Sequence, residues 1–456
     1  MSIRTSLSRL VEACGFAASA SDAGIELRGV STDTRTLEPG ELFVALVGES
    51  FDGHQFVAAA IEKGAPAVVV SNPDAAPPDA AVVVITVEST VEALGRIGHF
   101  WRTECDPTVI AVTGSAGKTT TKDMIGFVLG AAGPVRFTEA TENNEIGVAK
   151  TLLSIEPSDA YCVVEFGMRA RGEIDFLARI SRPDIAVITN IGEAHIGLLG
   201  SREAVAEAKA EVLPHLPPDG SAILNADDYF FPLLSNMTGA RIVSFGTADA
   251  TVRLEATRLL GTTGAAARLV MPTGAVEIEL QVPGRHNLMN AAAAAATAYS
   301  CGLAPETIAA RLGEFNTRAM RSQVIAAPGG FSLIHDAYNA SPTSTPPALE
   351  VLAQAPRRKV FVFGDMLELG PAAEEAHRTI GRLAAEAGVG VLVAVGELAS
   401  FAAEESAQAG IETYQTSSAE EAAPIAAGIV APGDTVLVKG SRGMHLEVVV
   451  EELLRV

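Results

Sequence analysis

Short apolar runs recur along the chain, and amphipathic stretches with apolar residues at helical spacing separate them. Runs without internal polar residues are typical of strands buried on both faces, as in parallel sheets covered by helices. The alternation therefore predicts an α/β fold with mostly parallel sheets. The strands that we predict are residues 67–70, 81–87, 108–112, 161–164, 185–189, 222–224, 331–335, 360–363, 391–395 and 435–438.

The length of the chain and its loop-forming segments predict three domains. Its 456 residues exceed what one hydrophobic core normally organises. A turn-rich segment at 31–54 and a Pro/Asp-rich loop at 72–79 belong to the first block, and the second block begins with the apolar run at 108–112. We predict domains at residues 1–103, 104–318 and 319–456.

Two segments resemble membrane elements only superficially. Glu12 interrupts the first apolar run, which indicates an amphipathic helix rather than a signal peptide. Residues 287–305 are uncharged but consist mostly of alanine mixed with Asn, Ser and Thr, which indicates a buried helix rather than a membrane span. We therefore expect no membrane insertion.

Composition and charge narrow the class of protein. The chain is 48% hydrophobic and 19% charged, which is typical of a folded globular protein. Its formal charge of -22 repels polyphosphate backbones, so we expect no nucleic-acid partner, and any phosphate site must be built locally. The four cysteines form no CxxC pair, so we expect reduced thiols, no structural zinc and a cytoplasmic location.

The segment TGSAGKTT, residues 113–120, follows a predicted strand and opens a predicted helix. In such a loop the backbone N–H groups point at phosphate, Lys118 reaches the β and γ phosphates, and Thr119 ligates magnesium. Val112 stands where the pattern GxxxxGK(S/T) has its first glycine, so the loop alone indicates ATP binding and leaves the chemistry open. The residues that we expect at the phosphates are Gly114, Ser115, Ala116, Gly117, Lys118, Thr119 and Thr120.

Glu165 and His195 each follow a predicted strand of the second block. Because the carboxyl ends of parallel strands meet at one edge of a sheet, both should lie near the phosphate loop, where nucleotide-bound magnesium needs ligands. The alternatives are a surface glutamate and an ordinary polar histidine. Lys209 lies on a predicted helix and, taken alone, is interpreted as a solvated lysine.

Five further segments follow the loop in a fixed order: NNEIG at 143–147, EFGM at 165–168, DAYNASP at 336–342, GDMLELG at 364–370 and KGSRGM at 439–444. This order resembles the Mur ligase family of ATP-dependent, amide-forming enzymes, whose phosphate loop also lacks the leading glycine. The segments are similar above all to the branch that adds D-alanyl-D-alanine. The DNPR tetrapeptide that is typical of the diaminopimelate-adding branch does not occur in the chain.

The resemblance implies three α/β domains: one that binds a uridine nucleotide, a central P-loop ATPase-like domain and a C-terminal Rossmann-like domain. It implies ATP, two magnesium sites and an acyl-phosphate intermediate. The implied substrates are UDP-N-acetylmuramoyl-tripeptide and D-alanyl-D-alanine, and we expect a monomer.

The resemblance also assigns roles to single residues. It places Lys118 and Thr119 at the ATP phosphates and the first magnesium, and Glu165 and His195 at magnesium. Lys209 matches a lysine that family members carry as a carbamate, which ligates the second metal. The nucleotide and third-domain ATP contacts are Asn287, Asn290, Arg321 and Asp336, and the implied substrate contacts are Ser31, Asp33, Arg35, Asp52, Gly53, His54, Asn143 and Asn144.

Three positions depart from the family pattern. Thr141 and Met320 replace a common asparagine and a common glycine, and His335 stands where an acidic residue is frequent. Two alternatives stay open: another Mur-type ligase, including one that adds glutamate to folate, and a regulatory nucleotide-binding protein without ligase activity. The third-domain segments argue against the first, and the joint presence of Lys118, Glu165, His195 and Lys209 argues against the second.

Overall fold

Three large sheets organise the chain in a computed structural model, which describes residues 3–18, 24–48, 51–138, 142–317 and 320–456. Each sheet falls in one of the three predicted blocks, so the three-domain α/β expectation is confirmed. The ten predicted strands are all present, each within two residues of the predicted bounds. Thr141 and the predicted boundary at 318–319 lie outside the described residues.

The N-terminal sheet has five strands in the order β2-β9-β8-β5-β4, of which only the edge strand β2 is antiparallel to its neighbour. The first helix is amphipathic, as predicted, and it buries Leu7, Leu10 and Cys14. The elements of this region are β1 (Thr5–Ser6), α1 (Leu7–Cys14), β2 (Ala17–Ala18), β3 (Glu26–Leu27), β4 (Gly29–Ser31), β5 (Glu41–Val44), β6 (Val47–Gly48), β7 (Phe51–Asp52), α2 (Val57–Glu62), β8 (Ala67–Val70), β9 (Val83–Thr86) and α3 (Thr90–Cys105).

Helix α3 joins the first region to the second. Its Trp101 indole donates a hydrogen bond to the Ile155 carbonyl at 2.8 Å, and its Arg102 guanidinium donates to the Ser181 carbonyl at 3.1 Å. One apolar core runs through the helix from the N-terminal strands to the central strands. The boundary predicted at residue 103 therefore falls inside α3, which packs on both regions.

The central sheet has nine strands in the order β11-β12-β10-β13-β14-β15-β16-β17-β18. The strands are parallel as far as β16, and β17 and β18 extend the sheet in antiparallel fashion. The elements are β10 (Thr108–Thr113), α4 (Lys118–Leu129), β11 (Val135–Phe137), α5 (Glu145–Leu153), β12 (Tyr161–Glu165), α6 (Glu173–Ser181), β13 (Ile185–Ile188), α7 (Ile196–Leu199), α8 (Arg202–Ala210), β14 (Ser221–Asn225), α9 (Phe231–Ser235), β15 (Arg241–Gly246), β16 (Val252–Leu260), β17 (Gly264–Met271), β18 (Gly274–Leu280), α10 (Arg285–Ser300) and α11 (Pro305–Glu314).

Helix α10 is the predicted alanine-rich helix, and all its alanines are buried in the central core. Small side chains let the helix approach the strands closely, which accounts for the lack of charge. In the described part of the chain, no helix is both long and apolar enough to cross a membrane.

The C-terminal sheet has six strands in the order β19-β20-β24-β21-β22-β23, with only the edge strand β19 antiparallel. Asp336 follows β20 and Lys439 ends β24, so both lie at the carboxyl edge of this sheet. The elements are β19 (Gln323–Ala326), β20 (Ser332–His335), α12 (Thr345–Ala353), β21 (Lys359–Gly364), α13 (Ala373–Glu386), β22 (Val391–Val395), α14 (Ala399–Gln408), β23 (Glu412–Thr416), α15 (Ala419–Ile429), β24 (Thr435–Lys439) and α16 (Glu447–Leu453).

Candidate active site

A cavity of about 700 Å³ lies between the central and C-terminal domains. Its walls come from the carboxyl edges of both sheets, which is where ligands bind in open α/β sheets. The predicted site residues that line it are Ser115, Ala116, Gly117, Lys118, Thr119, Thr120, Asn143, Asn144, Glu165, His195, Asn287, Asn290, Arg321 and Asp336.

The phosphate loop connects β10 to α4 and is braced from the neighbouring strand. The Asn190 side chain accepts from Ala116 N at 3.0 Å and donates to Ala116 O at 3.0 Å. The Asn190 carbonyl accepts from Ser115 N at 2.9 Å. The sequence had predicted the loop but not this brace, although Asn190 directly follows a predicted strand.

Two glycines of the loop make close backbone approaches. A Cβ at Gly114 would collide with the Thr189 hydroxyl, and a Cβ at Gly117 would collide with the Asn290 side-chain oxygen. Gly117 also has a left-handed φ of 79°. Both positions therefore require the absence of a side chain. Lys118 Nζ donates to the Gly114 carbonyl at 2.9 Å, so the loop holds its own cation over the phosphate-facing backbone.

Glu165 lies at the end of β12 and is 1% exposed. Its Oε1 accepts from the Asn143 amide at 2.8 Å, while its buried Oε2 has no hydrogen-bond partner among the residues that the structure describes. A buried carboxylate oxygen without a partner is costly unless a ligand supplies one. Asn144 is the N-cap of α5, since its side chain accepts from Gly147 N at 2.9 Å.

Lys209 is 1% exposed, on the buried face of α8. Burial, and secondarily the nearby Lys118 charge, lowers the pKa of Lys209 well below its ordinary value. The interpretation of Lys209 as a solvated lysine is therefore wrong.

His195 lies at the same edge, half-buried and close to both lysines. Burial, followed by the charges of Lys118 and Lys209, lowers the pKa of His195, while Glu368 raises it. The net direction is downward, which favours the neutral imidazole, the form that can ligate a metal.

The donor set fits a hard cation that is also held by phosphate. Within the described ranges, no three His, Cys, Asp or Glu side chains converge as a complete metal site. The free Oε2 of Glu165, the Thr119 hydroxyl and the neutral imidazole of His195 supply donors around the loop, and phosphate oxygens would have to complete them.

The two asparagines of α10 form a buried chain beside the loop. Asn290 donates to the Asn287 side-chain oxygen at 3.1 Å, and Asn287 donates to the Pro283 carbonyl at 2.7 Å. Thr121 donates to Asn290 at 3.3 Å, which links α10 to α4. His286 lines the cavity next to them, and burial lowers its pKa to about 4.

The C-terminal domain contributes charged groups to the cavity. Arg321 donates to the Thr119 hydroxyl at 3.0 Å, and its guanidinium carbon lies 3.7 Å from the centre of the Tyr338 ring. Asp336 forms a 2.6 Å ion pair with the buried Lys439 and accepts from Ser322 N at 3.0 Å. Lys439 had no predicted role, because a lysine at a strand end has no distinctive pattern.

Two departures from the family pattern lie beside these groups. Met320 has a left-handed φ of 66°, which explains why glycine is common at this position. His335 is buried, its Nδ1 has no hydrogen-bond partner in the described part of the chain, and burial lowers its pKa.

The predicted uridine-nucleotide residues divide into two groups at the carboxyl edge of the N-terminal sheet. Ser31 and Asp33 line a separate cavity of about 380 Å³, together with Lys150 of α5. The exposed Arg35 binds Asp33 and lowers its pKa to about 2. Asp52, Gly53 and His54 do not line this cavity.

The Asp52–His54 segment is held by its own hydrogen bonds. Asp52 accepts from His54 Nδ1 at 2.7 Å, and His54 Nε2 accepts from Ser71 N at 3.0 Å. A Cβ at Gly53 would lie 2.7 Å from the Leu46 carbonyl. These contacts stabilise the loop after β7, and a substrate role for the segment stays a prediction.

Family models match three successive regions of the chain. The Mur ligase family catalytic domain matches residues 26–102, the Mur ligase middle domain matches residues 112–298, and the Mur ligase glutamate ligase domain matches residues 320–442.

Curated relatives and solved structures agree with these matches. The UDP-N-acetylmuramoyl-tripeptide–D-alanyl-D-alanine ligases of Bacillus subtilis and Escherichia coli are 39% and 37% identical, over 94% of this chain and 93% and 94% of theirs. A crystal structure of MurF from Acinetobacter baumannii has a TM-score of 0.92 at 34% identity and covers 100% of this chain and 99% of that one. MurF from Thermotoga maritima in complex with ADP has a TM-score of 0.83 at 26% identity, over 94% and 97%. The chain therefore belongs to the Mur ligase family.

Proposed function

We propose that this chain is an ATP-dependent ligase that joins D-alanyl-D-alanine to the terminal carboxylate of UDP-N-acetylmuramoyl-tripeptide. The observation that carries the proposal is the cavity that unites the phosphate loop with Arg321, Asp336 and Lys439 of another domain. Relatives that bear the name of this activity match nearly the whole chain.

The first step joins two anions, because the substrate carboxylate attacks the γ-phosphorus of ATP and ADP leaves. Lys118 is held by the Gly114 carbonyl and Arg321 by the Thr119 hydroxyl, so two fixed cations line the cavity at the expected phosphate position. Such preorganised charge stabilises the transition state more than it stabilises the separated reactants. Magnesium, when bound by Thr119, Glu165, His195 and a carbamate on Lys209, would supply further positive charge at the phosphoryl oxygens.

The second step transfers the acyl group to the amine. The nitrogen of D-alanyl-D-alanine attacks the acyl carbon, the C–O bond to phosphate breaks, and the amine loses a proton. Water would compete for the acyl phosphate, so the enclosure of the cavity by two domains serves the reaction by excluding it.

Each domain has a separate binding role in this proposal. The region up to residue 103, including the cavity at Ser31 and Asp33, binds the uridine nucleotide. Residues 104–318 bind ATP, with Asn287 and Asn290 at the nucleotide, and residues 319–456 close over it with Arg321 and Asp336. We place the enzyme in the cytoplasm, where ATP and nucleotide-linked sugars are made.

A phosphate-release assay with purified protein tests the proposal. Release should require ATP, UDP-N-acetylmuramoyl-tripeptide and D-alanyl-D-alanine together, and mass spectrometry should find the joined product. Phosphate release without the dipeptide, or with a folate and glutamate instead, would contradict the assignment.

A pair of lysine variants makes the assay specific to the site. Lys118→Ala should reduce turnover by about 100-fold or more, since it removes one preorganised cation. Lys359→Met is the control. This lysine lies at the amino end of β21, on the opposite side of the C-terminal sheet from the cavity, and donates to the Ala387 carbonyl at 3.0 Å. Equal activity of the two variants would exclude the phosphate-loop role of Lys118.

A further inference from the structure

Glu368 reaches from the C-terminal domain to the central domain at His195. It lies in the segment after β21 and has a left-handed φ of 64°. Its Oε2 is 3.2 Å from His195 Nδ1, and its Oε1 accepts from the Arg169 guanidinium at 2.9 Å. Glu368 belongs to the segment 364–370 that resembles the family, and the resemblance assigns it no role.

The segment around Glu368 is fixed on both sides. Met366 N donates to His377 Nε2 at 2.9 Å, and Leu367 N donates to the Ser441 hydroxyl at 2.9 Å. A Cβ on Gly197, two residues after His195, would lie 2.6 Å from the Glu368 carbonyl. The backbones of the two domains therefore meet here, and the glutamate is held at a defined place.

The hydrogen bond determines which nitrogen of His195 carries the proton. An ionised carboxylate only accepts hydrogen bonds, so Nδ1 of the neutral imidazole must be protonated to donate to Glu368. The lone pair then lies on Nε2, for which no hydrogen bond is found in the residues that the structure describes. A carboxylate that fixes the tautomer and the orientation of a histidine is the usual partner of a metal-ligating imidazole.

We propose that Glu368 is a positioning residue that sets the tautomer and ring orientation of His195, and does so only while the C-terminal domain is docked. The docking of the C-terminal domain and the tautomer of His195 are thereby coupled through one side chain. The consequence for ligation rests on the proposed function, whereas the tautomer itself does not.

The competing explanation is that Glu368 only adds one ion pair between the domains. The chain offers a matched control for this, because Glu350 of α12 pairs with Arg285 of α10 at 2.9 Å across the same two domains. Both ion pairs are partly exposed, with side-chain exposures of 75% and 38% at Arg169–Glu368 and 53% and 40% at Arg285–Glu350. Among the described residues that line the cavity, neither Glu350 nor Arg285 is found.

Nuclear magnetic resonance of the full chain labelled with ¹⁵N-histidine, without metal or nucleotide, tests the inference. The His195 signals are assigned as those lost in His195→Gln. Wild type should show the Nδ1–H tautomer, and Glu368→Gln should keep it, because the amide oxygen still accepts the hydrogen bond. Glu368→Ala should lose it, and Glu350→Ala should retain it. An Nε2–H tautomer in wild type, or an unchanged tautomer in Glu368→Ala, would overturn the proposal.

Kinetics give the second measurement. Glu368→Ala should lower kcat by about 10–100-fold, the range seen when the partner of a metal-ligating histidine is removed, with little change in the KM of the dipeptide. Glu350→Ala should stay close to wild type, and an equal loss in both variants would show that domain docking alone is involved. If wild type has no ligase activity, the proposed function fails while the spectra still decide the role of Glu368.

Discussion

Replacing Gly117 by alanine should destabilise the central domain for two separable reasons. The left-handed φ of 79° costs an alanine about 1 kcal/mol. The added Cβ also collides with Asn290, which must move and give up its hydrogen bonds to Thr121 and Asn287, at about 1 kcal/mol each. The expected total loss of unfolding free energy is about 3 kcal/mol.

Gly172 provides the matched control. It lies in the same domain with a φ of 87°, and a Cβ there would meet nothing within 4 Å. Gly172→Ala should therefore cost only the backbone strain of about 1 kcal/mol. Urea unfolding followed by far-ultraviolet circular dichroism measures both variants on the same transition.

A double-mutant cycle isolates the contact between Gly117 and Asn290. Asn290→Ala alone should cost about 2 kcal/mol, because it removes the same two hydrogen bonds. The double variant should lose about 3 kcal/mol rather than the 5 or so expected for independent sites, because the collision has no partner left. Strict additivity, or a Gly117→Ala variant no less stable than Gly172→Ala, would refute the reasoning.

Three further predictions follow from buried charged and titratable groups. Lys209→Ala should lose most ligase activity in the phosphate-release assay and regain part of it with short carboxylic acids in the buffer. Lys209→Arg should stay inactive, because arginine cannot form a carbamate. A fully active Lys209→Arg would exclude the carbamate. Since burial lowers the pKa of His286 from 6.5 to about 4, only the unfolded chain binds this proton between those values, so stability should fall by about 3 kcal/mol as the pH drops through that window. Urea titrations of wild type and His286→Asn measure this loss, and equal pH slopes would contradict it. Lys439→Met should lower the free energy of unfolding by about 3–5 kcal/mol, because it leaves the Asp336 carboxylate without its ion-pair partner. In thermal unfolding, the double variant Lys439→Met/Asp336→Asn should recover part of this loss. An unchanged melting temperature in Lys439→Met would contradict the estimate of a strong pair.

The parallel strands and the phosphate loop could be predicted because their signals are local. A strand buried on both faces must be apolar throughout, as residues 391–395 are, and a loop that wraps phosphate needs glycine and lysine at fixed places. The strands β16 to β18 were not predicted, because half-buried strands mix polar and apolar residues and their pairing is set by the neighbours.

Other features of the site depend on tertiary packing, which local sequence patterns do not reveal. Lys209 has the sequence context of a solvated helix lysine, and only the fold around α8 buries it. Asn190, Lys439 and Glu368 contact Ala116, Asp336 and His195, which lie 74 to 173 positions away, and no local pattern encodes such pairings. The domain boundary at residue 103 stays a prediction, because the helix that contains it, α3, packs on both regions.

The shared helix has a practical consequence, because Trp101 is the only tryptophan of the chain. Trp101 is 7% exposed, and its indole donates a hydrogen bond to the Ile155 carbonyl across the interface between the N-terminal and central regions. Its fluorescence therefore reports on the contact between these two regions and not on the C-terminal domain. Separation of the two regions would expose the indole to water and shift its emission maximum to longer wavelength. A rotation of the C-terminal domain would leave the emission maximum unchanged.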